Sequence, residues 1–493
     1  MTTELVSNAD TTVEGLTVPT TLFIDGTWRE SSDRGHFEVL DPATEAAIAT
    51  VANATPADAL DALTSAHRAQ PEWTDFSPRQ RAEILRNAYA RIQDRRDDFA
   101  TIMTAEMGRP YQESLAEVDY GAEFFRWFSE QSVNVHGDFG AAPGGAFDIL
   151  TSKVPVGPSL LITPWNFPLA MGTRKIGAAL AAGCTVLLKP AAQTPLTAAM
   201  LIEVLVDAGV PAGVVNFIPT SDAATQSEIL MADPRLRKIS FTGSTGVGVQ
   251  LLHQAAGNVM RSSMELGGNG PFIVLDDADV AAAVDGAMLA KFRNGGQSCV
   301  AANRFIVHRA VAADFTDRLL KRTEALTVGN GRTPGVQVGP LIDERQRTRV
   351  RDLVRDAISA GARMLTGGQE VPGAGYYYQP TVLVDVPPTA KISTEEIFGP
   401  VAVVTTIDSE DEAIAIANAT PYGLAAFIYT NDVTRAFALA KRIDAGMVGI
   451  NRGLVSEPGA PFGGMKASGL GREGGQTGIE EYLDTKYYAL GRL

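Results

Sequence analysis

Apolar positions in the first third of the chain recur at intervals that predict both strands and helices. Residues 22–28 contain Asp25-Gly26 between apolar positions, a pattern that predicts a β-hairpin. The alternation over residues 146–155 is typical of a strand. Helices are predicted where apolar residues recur at helical spacing, over residues 84–92, 99–107 and 117–128. Residues 1–20 are polar and carry no such pattern, so we expect them to be poorly ordered.

Residues 159–266 alternate between short apolar runs and helical segments, which predicts a parallel sheet with helices on both faces. The expected strands lie near residues 160–163, 185–189, 214–218, 238–242 and 262–266. Because each pair of parallel strands is joined through a helix, the connections should cross over in the right-handed sense.

A second alternating series begins at Pro271 and predicts a further α/β unit. Besides its first strand, the expected elements are strands at residues 304–308, 401–407 and 425–429 and helices at 280–291, 319–326 and 345–360. The glycine cluster at residues 266–270 is the expected change of domain. The chain shows no internal repeat and no low-complexity linker.

Composition narrows the classes of function. The formal net charge of −15 argues against a nucleic-acid partner or an anionic membrane surface. The longest apolar run, residues 176–188, is too short to span a bilayer, and the first ten residues do not resemble a signal peptide. Two cysteines make no disulfide framework, which fits a reducing cytoplasm. The five histidines show no metal-ligand spacing, so no metal site is expected.

The stretch with the clearest candidate chemistry is KFRNGGQSCVAANR, residues 291–304. Gly295 and Gly296 precede Cys299, and adjacent glycines let the backbone turn sharply beside a ligand. A cysteine on such a loop is placed as a nucleophile would be. The alternative is a buried free cysteine, which is the usual state of this residue. Cys184 lies between apolar neighbours and fits the second description.

This stretch resembles the active-site segment of the NAD(P)-dependent aldehyde dehydrogenase superfamily. Three further motifs match in the same order: ITPWNFP at residues 162–168, ELGG at 265–268 and EEIFGP at 395–400. The resemblance covers the chain from about residue 22 onward. It implies an α/β fold with a Rossmann-type NAD(P)-binding domain (residues 20–136 and 157–265), an α/β catalytic domain (266–470) and a small β oligomerisation arm (137–156 and 480–493).

The resemblance also assigns three catalytic residues. Cys299 would attack an aldehyde to form a thiohemiacetal and then a thioester, and Asn166 with the Cys299 backbone N–H would stabilise the oxyanion. Glu265 would act as the general base that activates the deacylating water. Taken locally, Asn166 is also typical of a turn between prolines, and Glu265 of a solvated strand end.

The cofactor expected from the resemblance is NAD or NADP. Its binding residues would be Thr163, Trp165, Lys189, Gly243, Ser244, Glu396 and Phe398. Gly243 and Ser244 lie in FTGSTGVG, where a strand ends and a helix begins, a position suited to a pyrophosphate. Many NAD-preferring relatives carry a glutamate where this chain has Ala192, so nothing here repels a 2′-phosphate.

Within the superfamily, the run APFGGMKASGLGREGG at residues 460–475 is similar to succinate-semialdehyde dehydrogenases. Arg174, Arg293 and Ser456 match that subfamily's carboxylate-binding positions, and arginine binds carboxylates bidentately. The implied reaction is oxidation of succinate semialdehyde to succinate. Glutarate semialdehyde or a broader range of aldehydes are the alternatives. Ala301 replaces a second cysteine of some relatives, so we expect no local disulfide switch.

Other classes of function remain open at this point. The same cysteine, glutamate and oxyanion donors suit a cysteine-dependent esterase, at least as a side activity. A cofactor-binding protein without catalysis and a CoA-acylating dehydrogenase are further alternatives. The expected partners are a small-molecule aldehyde and further copies of the chain in a homodimer or homotetramer, with no nucleic acid and no membrane.

Overall fold

The computed structural model describes residues 10–491 and forms two large sheets, three small ones and the helices that cover them. The strands are β1 Asp10–Val13, β2 Leu16–Pro19, β3 Leu22–Ile24, β4 Thr27–Arg29, β5 His36–Leu40, β6 Ala47–Ala52, β7 Phe139–Ala141, β8 Phe147–Pro155, β9 Ser159–Ile162, β10 Val186–Lys189, β11 Val215–Phe217, β12 Lys238–Thr242, β13 Arg261–Glu265, β14 Gly270–Val274, β15 Ala302–His308, β16 Arg363–Thr366, β17 Thr381–Val384, β18 Val401–Ile407, β19 Ala425–Tyr429, β20 Met447–Ile450, β21 Gly469–Leu470 and β22 Leu483–Gly491.

The α-helices are α1 Pro56–Asp75, α2 Pro78–Asp94, α3 Arg96–Met107, α4 Tyr111–Ser132, α5 Pro168–Ala182, α6 Pro195–Asp207, α7 Ala223–Ala232, α8 Thr245–Ala256, α9 Val280–Phe292, α10 Arg309–Glu324, α11 Glu344–Ser359, α12 Glu410–Asn418, α13 Val433–Ala440 and α14 Thr477–Glu480. Short 3₁₀ turns lie at Arg293–Gly296, Lys391–Ser393 and Lys466–Ser468. No helix of residues 10–491 is long and apolar enough to cross a membrane.

The eight-stranded sheet has the order β21-β13-β12-β9-β10-β11-β3-β4. Its five central strands are parallel, as predicted, because each is joined to the next through one of α5 to α8. The chain runs outward from β9 through β10 and β11, then returns to β12 and β13 on the other side. The strand order therefore reverses beside β9, and ligands of such sheets bind at the carboxyl ends of strands at this point.

The seven-stranded sheet has the order β16-β17-β18-β15-β14-β19-β20 and is parallel except for β16. The strands predicted in the second series are confirmed as β14, β15, β18 and β19. Strand β13 belongs to the first sheet and β14 to the second, so the chain passes between the sheets over residues 266–269. The helix predicted at residues 319–326 begins earlier, at Arg309, because His308 caps it there.

The N-terminal part of the protein forms more structure than its sequence predicted. The hairpin at residues 22–28 and the three helices after residue 80 are confirmed as β3–β4 and α2 to α4. The expectation of poor order over residues 1–20 is wrong for residues 10–19, which form the antiparallel pair β1–β2. Val13 and Val18 of this pair are buried in the core, and their apolar contacts stabilise it. Residues 1–9 lie outside the described residues.

Strands β7, β8 and β22 form a separate three-stranded antiparallel sheet. The strand predicted at residues 146–155 is confirmed as β8, which pairs along its whole length with β22 near the C-terminus. Most of β22 is exposed to solvent, including Tyr487 and Leu490. A long exposed edge strand such as β22 is rarely left unprotected, because its unpaired N–H and C=O groups favour pairing with another chain.

Candidate active site

Three loops meet around Cys299 with their backbones in direct contact. Cys299 follows α9 and the 3₁₀ turn Arg293–Gly296. A Cβ atom at Gly268 would collide with the carbonyl oxygen of Cys299, and one at Gly296 would collide with the carbonyl oxygen of Gly399. Gly296 also has a φ of 73°, which favours glycine. Only residues without a side chain let the ELGG and EEIFGP segments lie this close to the cysteine loop.

Cys299 lines a small cavity and is partly buried. Burial raises the pKa of its thiol to about 12, and the charge of Glu396 adds to this shift. The Arg174 guanidinium acts in the opposite direction. In the free protein at neutral pH, the sulfur is therefore a thiol, and a base must remove its proton before it can attack a carbonyl.

Asn166 lies on the loop between β9 and α5 and is buried. Its side-chain Nδ2 donates a hydrogen bond to the carbonyl of Gln297, 3.1 Å away, so the amide lies against the cysteine loop. An amide nitrogen carries two hydrogens, and this contact uses one of them. The second remains available for an oxyanion that forms next to Cys299.

Glu265 ends β13 and is 3 % exposed. Burial and the neighbouring Glu473 carboxylate raise its pKa well above the usual value, while Arg174 and Lys175 act against the shift. Its Oε2 atom is buried without a hydrogen-bond partner among the described residues. A carboxylate with a raised pKa and a free oxygen is suited to accept a proton from a thiol or a water molecule.

Glu473, Lys175 and Tyr120 belong to the site, although sequence reasoning did not single them out. Glu473 pairs with Lys175 and lies 3.2 Å from the Nε of Arg174. Tyr120 lines the Cys299 cavity together with Ser456. Tyr120 and Lys175 lie in helices, where a hydroxyl or charged group on an otherwise apolar face indicates a buried polar contact. Glu473 lies in the run at residues 460–475, where the resemblance gave it no role.

The structure brings Arg174, Arg293 and Ser456 to the same cavity as Cys299. Arg174 is 1 % exposed, stacks over the Phe462 ring at 4.3 Å and has an Nη1 atom without a hydrogen-bond partner among residues 10–491. Arg293 stacks over Phe167 at 5.1 Å. Two guanidinium groups and a hydroxyl thus surround a small cavity, an arrangement that favours a ligand with a carboxylate at the end away from the sulfur.

The residues expected to hold a dinucleotide lie at the carboxyl ends of β9, β10 and β12. Thr163 follows β9, Lys189 ends β10, and Gly243 and Ser244 follow β12. Ser244 precedes α8 without a side-chain cap, so the first N–H groups of that helix are free to bind a phosphate. Burial lowers the pKa of Lys189 to about 8. These groups fit a pyrophosphate and an adenosine ribose at the point where the strand order reverses.

The other end of the dinucleotide would lie between the two sheets. Glu396 accepts a hydrogen bond from the backbone N–H of Gly268 at 3.0 Å, and burial raises its pKa to about 7. The Phe398 and Trp165 rings meet edge to face at 5.3 Å. These three side chains form a partly apolar surface next to the Cys299 loop, which suits a nicotinamide and its ribose.

Comparisons with known proteins show which sequences and folds this chain is similar to. Residues 28–488 match the model of the aldehyde dehydrogenase family. The chain is 53 % identical over 443 residues to a succinate-semialdehyde dehydrogenase of Paenarthrobacter nicotinovorans, covering 90 % of this chain and 98 % of the relative. It is 44 % identical to a glutarate-semialdehyde dehydrogenase of Pseudomonas aeruginosa, covering 96 % and 97 %. The solved structure of an NADP-dependent enzyme of Escherichia coli superimposes with a TM-score of 0.95 at 44 % identity, covering 96 % and 98 %.

The raised pKa of Cys299 gives a testable pH dependence. Because only the thiolate reacts with iodoacetamide, we expect the alkylation rate of Cys299 to rise about tenfold per pH unit from about pH 7 to 9. The rate is measured on the free protein by mass spectrometry of the Cys299 peptide. Cys184 is fully buried and serves as the internal control that should stay unmodified. A rate that levels off within this range would contradict the burial of the thiol.

Proposed function

This chain belongs to the aldehyde dehydrogenase family, and we propose that it oxidises succinate semialdehyde to succinate with NAD or NADP. The observation that supports this substrate is the cavity that Cys299 shares with Arg174, Arg293 and Ser456. A distal carboxylate paired with two buried guanidinium groups gains charge-assisted hydrogen bonds that an uncharged aldehyde lacks.

In the proposed reaction, Glu265 removes the proton of Cys299 and the sulfur adds to the aldehyde carbon. The resulting oxyanion accepts hydrogen bonds from the Asn166 amide and the Cys299 backbone N–H, each worth about 3 kcal/mol in the transition state. When bound, the nicotinamide supplies the hydride acceptor. Loss of that hydride from the thiohemiacetal carbon would leave a thioester on Cys299. Glu265 releases its first proton to solvent and then takes a proton from a water molecule that attacks the thioester, and the Cys299 thiolate and the acid separate.

We infer that Thr163, Trp165, Lys189, Gly243, Ser244, Glu396 and Phe398 contact the cofactor. The free N–H groups at the start of α8 and the partly apolar surface near Glu396 support this assignment. Ala192 puts no carboxylate at the end of β10 to repel a 2′-phosphate. This position therefore excludes neither NAD nor NADP.

Glutarate semialdehyde is the second candidate substrate. It differs from succinate semialdehyde by one methylene, and a pocket discriminates one methylene by only about 1–3 kcal/mol. The Pseudomonas aeruginosa relative is named for this aldehyde. The same arginines would bind its carboxylate. The preferred semialdehyde is therefore decided by the relative rates of oxidation and not by binding alone.

We also propose the assembly and the division of the chain. Residues 137–156 and 480–493 would form an oligomerisation arm of a homodimer or homotetramer, supported by the exposed pair β8–β22 and by closed symmetry as the common case. Residues 492–493 lie outside the described part.

The passage between sheets at residues 266–269 supports a cofactor-binding domain before it (20–136 and 157–265) and a catalytic domain after it (266–470). The two free cysteines support a cytoplasmic location.

Substrate preference is tested by initial rates on succinate semialdehyde, glutarate semialdehyde and hexanal, each with NAD and with NADP. Because Arg293 would bind the distal carboxylate, Arg293→Ala should lower kcat/KM for the acidic aldehydes roughly 10- to 100-fold and leave hexanal within about twofold. Arg322 borders the neighbouring cavity and pairs with Asp285, so Arg322→Ala is the matched control. Equal losses on acidic and uncharged aldehydes would refute the arginine pocket.

The role of Glu265 is tested by the pH dependence of the multiple-turnover rate. As a base, Glu265 must be ionised, so the wild-type rate should rise with pH through its raised pKa, and Glu265→Gln should lose this rise and about 10²–10⁴-fold in rate. Glu473→Gln removes the charge that helps raise this pKa, so the rise should move to lower pH. Identical profiles for the wild type and Glu265→Gln would assign the base to another residue.

A further inference from the structure

The backbone carbonyl oxygen of Asn166 accepts two buried hydrogen bonds from side chains. Arg109 donates from Nη2 at 2.6 Å, and Asn294 donates from Nδ2 at 2.9 Å. Asn294 lies on the cysteine loop, but Arg109 lies 57 positions before Asn166 in the sequence. The position of the oxyanion donor therefore depends on a side chain outside both loops of the site.

Arg109 is itself fixed by Glu117. The two side chains form an ion pair in which each is 1 % exposed. Glu117 Oε1 also accepts hydrogen bonds from the backbone N–H groups of Leu169 and Ala170, at 2.9 and 3.0 Å. One carboxylate thus holds the first turn of α5 with one oxygen and orients Arg109 with the other.

The ring of Phe167 completes this arrangement. The guanidinium of Arg109 lies over the ring at 5.0 Å, and the guanidinium of Arg293 lies over the same ring at 5.1 Å. Arg109 therefore contacts two consecutive residues of the loop, Asn166 through its carbonyl and Phe167 through its ring. Arg109 is not among the described residues that line the cavity at Cys299.

We propose that Arg109, oriented by Glu117, is a positioning residue that holds the Asn166 amide where the oxyanion forms. The proposal rests on the proposed function, because it requires Asn166 to be an oxyanion donor. Such a donor contributes only if it is aimed at the developing charge before the reaction begins. Without Arg109, the backbone carbonyl of Asn166 keeps only one of its two hydrogen bonds, and the side-chain amide of Asn166 is no longer held in one direction.

A buried ion pair also contributes to folding, so the test needs a readout that stability alone does not change. The experiment is a double-mutant cycle with Arg109→Met, Asn166→Ala and the double variant in the full-length protein. For each variant, kcat and KM are measured for the dehydrogenase reaction and for cofactor-free hydrolysis of p-nitrophenyl acetate. Thermal unfolding is measured in parallel.

If Arg109 acts through Asn166, its loss should matter only while Asn166 is present. We expect Asn166→Ala to lower kcat in both reactions about 10²–10³-fold. Arg109→Met should lower kcat ~10- to 100-fold with little change in KM. The kcat of the double variant should stay within about threefold of that of Asn166→Ala.

Glu117→Gln provides a second variant should Arg109→Met fail to fold. The amide oxygen can still cap α5, but the uncharged amide no longer pairs with Arg109, so we expect about a tenfold loss of kcat that disappears when Asn166 is alanine. Glu106 is the matched control, because this buried carboxylate accepts the N–H groups of Leu196 and Thr197 at the start of α6 in the same way. Glu106→Gln should leave the esterase kcat within about twofold and show no coupling to Asn166.

Three outcomes would overturn the proposal. An unchanged kcat in Arg109→Met or Glu117→Gln would show that the tether has no role in the reaction. Equal fold losses with and without Asn166 would show a general structural effect, while leaving the proposed function intact. If Asn166→Ala itself retained full kcat, Asn166 would not be the oxyanion donor, and both the positioning role and that part of the proposed mechanism would fail.

Discussion

The contact between the backbone of the Cys299 loop and two glycine-containing segments sets the geometry of the site. Gly268 and Gly296 leave no room for a Cβ atom, so the ELGG segment and the EEIFGP segment touch the cysteine loop directly. Glu265 begins the first segment and Glu396 lies in the second. Glu265, Cys299 and the proposed nicotinamide surface are thus joined at two backbone contacts.

The same close packing determines the electrostatics. Because the site excludes water, burial raises the pKa of Cys299, of Glu265 and of Glu396 together. Below these raised pKa values the three acids are protonated and do not repel one another, and at neutral pH the free protein keeps Cys299 as an unreactive thiol. The Arg174 guanidinium lowers the pKa of both Cys299 and Glu265, so it favours the ionised forms on which the reaction depends.

The sequence predicted the parallel strands well because each is a short apolar run between helices, and it predicted Cys299, Asn166 and Glu265 because they lie in recognisable motifs. It did not predict β1–β2, which packs on the core through the buried Val13 and Val18 and the partly buried Leu16. It also missed Arg109, Glu117, Tyr120 and Glu473. These side chains reach the site from α4, its preceding loop and the C-terminal region, and their local patterns are those of ordinary helices and loops. Only the three-dimensional packing shows what they touch.

The central claim is that one sulfur carries the substrate through the reaction as a thioester. Acid quenching during turnover with succinate semialdehyde and cofactor, followed by digestion and mass spectrometry, tests this directly. The account predicts an acyl group on the Cys299 peptide that hydroxylamine removes, with the Cys184 peptide unmodified. Turnover at the full rate with no acyl group on Cys299, or with the group on another residue, would contradict it.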